Sequence, residues 1–138
     1  MSRCFPEPAD LMGIYRLHRG VDARDVATAH AAALLHAGDP HHTWVISGNT
    51  PFQESDLRAL AEDAPSVLRA RAPALVDAYE ARGWLLPKSI DRVYVSARAM
   101  RELEWQPRHG FSDVLEMLDQ EHAEVLPPMR LARKAVPL

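Results

Sequence analysis

The sequence predicts an α/β, helix-rich fold with few short strands, and three stretches predict it. In Val21–Ser47, Val26, Ala27, His30, Ala31, Leu34 and Leu35 recur at the spacing of one helical face, which predicts a helix from about Arg24 to His36. After the breaker Gly38-Asp39-Pro40, Thr43–Ser47 carries Trp44, Val45 and Ile46, an apolar run too short for a helix and suited to a pleated surface. Further on, Arg92-Val93-Tyr94-Val95 alternates like a half-buried strand. An apolar strand directly after a helix suits a parallel sheet covered on both faces, and such a sheet needs several neighbouring strands. The chain offers few candidates for them.

Composition narrows the class. A chain of 138 residues fits one domain, and 47% apolar residues is ordinary for a globular protein. A net charge of -3, with both signs interspersed, gives no reason to expect nucleic acid or an anionic membrane as partner. Cys4 is the single cysteine, so no internal disulfide can form and a reducing compartment is expected. No apolar run approaches membrane-spanning length, and the proline- and acid-bearing start lacks the regions of a secretion signal; a cytoplasmic protein is expected.

In chain order, residues 1–14 read as an irregular lead-in and Gly13–Gly20 as a short extended segment. Asp22 or Asp25 can cap the first helix. Gly48-Asn49-Thr50-Pro51 turns the chain, and Phe52–Asp56 opens a second helix with Leu57, Leu60 and Ala61 inward. Pro65 and Pro73 each fit the first turn of a further helix, the second carrying Leu75, Val76 and Tyr79 and stopping at Gly83. Trp84-Leu85-Leu86 is an apolar link. Ser96 is placed to cap a helix through Leu103, and Ser112 another through about Gln120 with Val114, Leu115 and Leu118 inside. Residues 15–120 thus form one region, and 121–138, with several prolines and bases, read as a mobile tail.

The reactive side chains give few constellations. His36, Asp39, His41 and His42 surround one turn, but no cysteine or Glu-x-x-His spacing supports a metal site, and a solvated loop is the plainer reading. His30 reads as a hydrogen-bonded packing histidine, not a base. Ser47, His30 and Asp25 could be drawn as a triad, yet no serine lies in a nucleophile elbow. Trp44, Trp84 and Trp105 read as core or interface anchors.

Two stretches resemble a known family. Val21-Asp22-Ala23-Arg24-Asp25-Val26-Ala27-Thr28-Ala29-His30 resembles the Val-x-Asp-Val-Ala-x-Ala-His segment of the NAD-dependent epimerase/dehydratase family, the extended short-chain dehydrogenases/reductases. Residues 96–107, containing Arg101-Glu102-Leu103-Glu104-Trp105-Gln106-Pro107, resemble that family's late Arg-Glu-Leu-Gly-Trp-x-Pro signature. Trp44–Gly48 is similar to the family's last sheet strand and Gly110–Leu115 to its closing helix.

The resemblance implies the C-terminal part of a Rossmann-type oxidoreductase or isomerase acting on a nucleotide sugar or similar alcohol with NAD or NADP. It also exposes what the chain lacks: no glycine pair forms a phosphate loop, and no tyrosine is followed four residues later by lysine. Catalysis and cofactor binding by this chain alone are therefore not expected. The implied partners are a missing N-terminal nucleotide-binding half or a homo-oligomer, and the implied ligand is nucleotide-sugar-like. The implied substrate-binding residues are Arg16, His18, Arg19, Lys88 and Arg92, arginine being suited to phosphates. Glu104 stands where the family carries glycine, so a left-handed turn retained there costs of order 1 kcal/mol. The alternative expectation is a non-catalytic ligand-binding or protein-association module.

Overall fold

The computed structural model describes residues 8–36 and 41–122. Among the described residues the chain forms α1 (Pro8–His18), α2 (Ala23–Leu35), α3 (Leu57–Arg71), α4 (Pro73–Ala81), α5 (Ala97–Glu102) and α6 (Phe111–Asp119), with a 3-10 turn at Glu54–Asp56 leading into α3. None of these residues lies in a strand. The expected α/β class is overturned, and with it the resemblance to extended short-chain dehydrogenases/reductases, whose Rossmann-type fold is a parallel sheet.

The reason is visible at the two expected strands. Neither is a strand, and at 43–46, where a run covered on both faces was expected, the sides alternate, with Thr43 and Val45 exposed while Trp44 and Ile46 pack inward. A strand nevertheless needs a neighbouring backbone. Here the contacts are single bonds, from the Tyr94 amide to the His18 carbonyl at 2.6 Å and from the Gly48 amide to the Gly20 carbonyl at 2.8 Å. A Cβ on Gly20 would sit 2.8 Å from the Tyr15 carbonyl oxygen, so glycine is what lets the chain close against the end of α1 here. The two extended segments are fastened by side chains instead. The Ser47 amide donates to Ser96 Oγ at 2.9 Å, Ser96 Oγ donates to the Ser47 carbonyl at 2.8 Å, and the two hydroxyls lie 2.7 Å apart. Ser96 occupies the N-cap position of α5 but makes no side-chain cap bond, because its hydroxyl is used in this pair.

The expected lead-in is helical from Pro8, where the missing amide costs nothing, and the expected extended segment 13–20 is largely the rest of α1. Ile14 and Leu17 give α1 its buried side. The stretch 1–7 with Cys4, the breaker with Asp39, and the tail from residue 123 lie outside the described residues.

The helix α3 bends at Asp63 (φ −149°, ψ 72°), two residues before Pro65. Segment 88–90 uses the break: the Ala64 amide donates to the Lys88 carbonyl at 3.1 Å, and the Ile90 amide donates to the Leu60 carbonyl at 2.8 Å. The helix α4 ends at Gly83, whose φ of +64° suits a residue without a side chain. Instead of Ser112, Gly110 holds the N-cap position of α6, and its amide donates to the Asp113 carboxylate at 2.9 Å.

Among the described residues two apolar cores result. The larger gathers Ile14 and Leu17 of α1, Leu60, Val67 and Leu68 of α3, Leu75, Val76 and Tyr79 of α4, and Leu115 of α6. Trp84 joins it edge-on to Tyr79, with ring centres 5.2 Å apart. The smaller sets Ala29 of α2 against Ala99, Leu103 and Trp105, with Trp44 and Ile46 alongside.

Candidate functional site

The helix α2 lies where the sequence places it, but rolled about its axis. Its buried positions are Asp25 and Ala29, whereas Ala27, His30, Ala31, Leu34 and Leu35, five of the six expected core residues, are exposed. Two aspartates set the roll. Asp22 caps the helix by accepting the Arg24 amide at 3.0 Å and holds the Arg24 side chain at 2.8 Å. Side-chain and backbone bonds from Arg24, helped by Arg16, outweigh burial and hold the Asp22 carboxyl at a pKa of about 2. Asp25 reaches across the molecule, accepting the amides of Arg108 and His109 and the His109 ring Nδ1–H, each at 3.0 Å. Burial alone would raise its pKa, but these three bonds outweigh burial and keep it low. A carboxylate satisfied by backbone donors can be buried, and its anchor turns the leucines outward.

The exposed side of α2 adjoins two clefts. One, of about 260 Å³, lies between α2 and the extended segment and is lined by Ala29, His30, Ala33, Trp44, Ile46 and Leu103. The other, of about 430 Å³, is lined by Ala32, Leu35, His36, Glu102, Leu103 and Glu104. His42 stacks on Trp44 at 5.1 Å, and His36 meets both rings edge-on. Glu102 ties this surface together by accepting Trp44 Nε1–H at 2.8 Å and Arg98 Nε–H at 2.9 Å. The bond from Arg98, then that from Trp44, holds the Glu102 carboxyl below its usual range. Glu104 follows in the left-handed region at φ +48° and is exposed. Among the described residues its carboxylate has no ion-pair or hydrogen-bond partner.

The five implied substrate-binding residues lie elsewhere. Arg16 is largely buried, 3.5 Å from Asp22, and its Nη1 has no hydrogen-bond partner among the described residues. Burial lowers its pKa against the pull of Asp22, Asp25 and Asp113. His18 is buried and donates Nδ1–H to the Arg92 carbonyl at 3.0 Å. That burial pushes the His18 pKa down, leaving a neutral ring. The Arg19 guanidinium lies 4.4 Å over the Tyr15 ring, and Arg92 pairs with Asp91 at the surface. Lys88 is exposed near the α3 bend. His18, Arg19 and Arg92 are thus brought together; Arg16 turns toward α2 and Lys88 stands apart.

The other constellations do not assemble. Asp25 is engaged by residues 108 and 109, Ser47 by Ser96, and His30 by the Val26 carbonyl of its own helix at 2.8 Å, so the drawn triad does not exist. No group of three metal-binding side chains occurs among the described residues. Trp105 is buried with its Nε1–H on Thr28 Oγ1 at 2.9 Å.

Comparison with known proteins returned no matching family, no matching curated protein and no matching solved structure. The resemblance therefore rests on two short stretches that the fold does not support. Without a sheet among the described residues there is no strand-to-helix turn to cradle a pyrophosphate, so the implied NAD or NADP site has no basis. The oxidoreductase or isomerase assignment falls with it. So do the missing nucleotide-binding half and the nucleotide-sugar-like ligand inferred from the family, and the open sheet edge on which a homo-oligomer was expected is absent among the described residues. No described helix is long and apolar enough to cross a membrane. Sequence periodicity missed the outward face of α2, since an alanine-rich helix has no single apolar stripe. The signal that could have found it is the pair Asp22 and Asp25, three residues apart on what became the inner side.

Proposed function

We propose that this chain is a non-catalytic protein-association module that docks through the outer face of α2 and the adjoining segment Thr43–Ile46. The observation that carries the reading is the exposure of Leu34 (87%) and Leu35 (86%) on a helix whose other side already packs into a core. A helix apolar on both sides belongs in an interior, and covering each leucine contributes about 1.5–3 kcal/mol. Val45, half exposed on the neighbouring segment, extends the same surface. Among the described residues, the Trp44, Val45 and Ile46 amides donate no hydrogen bond, so an incoming chain finds donors as well as apolar area.

A photo-crosslinking amino acid placed at position 34 tests this in the host cell, with one at the exposed Arg58 of α3 as control. Discrete protein adducts are expected from position 34 and not from 58. An absence of adducts at 34, or the same adducts at both, would reject the reading. Anion binding is a second reading, supported by the gathering of Arg19 and Arg92 around His18. Titration with inorganic phosphate, with an Arg19→Ala/Arg92→Ala double variant, tests that role separately.

A further inference from the structure

The charge around the end of α2 selects among partners, and we infer that the 430 Å³ cleft receives a basic, apolar helix of another protein, with a lysine or arginine reaching Glu104. The inference rests on the association reading above and adds the chemistry of the partner. Three observations meet in one place. Leu35 walls the cleft and Leu34 stands beside it, 86% and 87% exposed, which suits aliphatic side chains from a partner's apolar stripe. Among the described residues the lining contains two carboxylates and no lysine or arginine. The last turn of α2 carries no basic residue, so the negative end of its dipole also faces this site uncompensated from within the helix.

The two carboxylates differ in what they offer. Glu102 is already held by Arg98 at 2.9 Å, with Arg101 at 3.9 Å. Glu104 is exposed and, among the described residues, unpaired, so it is the acid with charge to spare. It also lines a third cleft, with Met100, Gln106, Pro107 and Arg108, and so stands at the junction of the two. An acidic partner would bring like charge against Glu104 and the helix end, which disfavours it.

The full chain would be titrated, by fluorescence anisotropy, into two labelled synthetic amphipathic helices of equal leucine content, one with lysines on its polar face and one with glutamates. The lysine helix is expected to bind and the glutamate helix not. Glu104→Gln should weaken the lysine helix by roughly fivefold, the size of one surface ion pair, and Glu104→Lys should weaken it further. Leu34→Ser/Leu35→Ser should abolish binding; all these positions are exposed, and circular dichroism would verify folding. Equal binding of both helices, or binding indifferent to Glu104, would overturn the charge selection while leaving the association reading intact. No binding of either helix, with adducts still formed at position 34, would overturn this partner class alone. No binding and no adducts would overturn both.

Discussion

Glu104 shows what one residue gives up. At φ +48° its Cβ crowds the backbone in a way glycine avoids, and no bond among the described residues offsets the cost. Glu104→Gly should therefore raise unfolding stability by about 1 kcal/mol, read as a higher urea midpoint at unchanged slope. If this glycine variant is instead less stable, the left-handed conformation is not strained. A stabilised variant that loses the lysine helix would mark the position as one where stability has been given up for binding. The sequence raised this turn only conditionally, through a resemblance to a glycine position that the fold does not support.

At the scale of elements, the helices were legible and their neighbours were not. Gly83 marked the end of α4, Pro65 and Pro73 marked new helical starts, and Asp22 marked a cap, since each acts through local backbone geometry. The pairing of residues 43–47 and 92–95 was not legible, because extended conformation is local while a ladder depends on what lies alongside. The roll of α2 was misread for a related reason: alanine fits either side, and a buried Asp25 defies the expectation that charge stays outside. The Ser47–Ser96 pair replaces the missing ladder, and both hydroxyls are buried. Ser96→Ala leaves the Ser47 amide and carbonyl without their Ser96 partner, while the Ser47 hydroxyl keeps the Tyr94 carbonyl, at a cost of about 1–3 kcal/mol. Hydrogen exchange should show lost protection at the Ser47 and Gly48 amides beyond the global change. Uniform loss across all helices would mean that the pair does not specifically fasten these segments.

For the whole molecule, three buried titratable groups give stability a definite pH profile. In the unfolded chain histidine titrates near 6.5 and aspartate near 3.9. His18 is held below its ordinary value by burial, so below about pH 6.5 the unfolded chain takes up a proton that the folded chain refuses, and stability falls with pH. Asp22 at about 2 and Asp25, also lowered, have the same sign in a lower window. Their contribution is full above the unfolded value near 3.9 and is lost as pH falls toward 2. For Asp22 it amounts to roughly 1–2 kcal/mol after allowing for the half-exposed Arg24. Urea unfolding at pH 7, 5 and 3 should show both declines, with His18→Gln removing the first and Asp22→Asn the second. A first decline that persists in the glutamine variant would assign it to other groups.

The bond from Asp25 to residues 108 and 109 also has a meaning in time. Its ends are 83 and 84 residues apart, and Leu103 and Trp105, which floor the same helix, come almost as late. At ordinary translation speeds of about 5–20 residues per second, roughly 4 to 17 seconds pass between the making of α2 and the arrival of what fixes its roll. Throughout that interval the nascent helix has neither an inner nor an outer side. Until residues 108 and 109 arrive, the leucines and the alanines of α2 are equally open to whatever meets the growing chain.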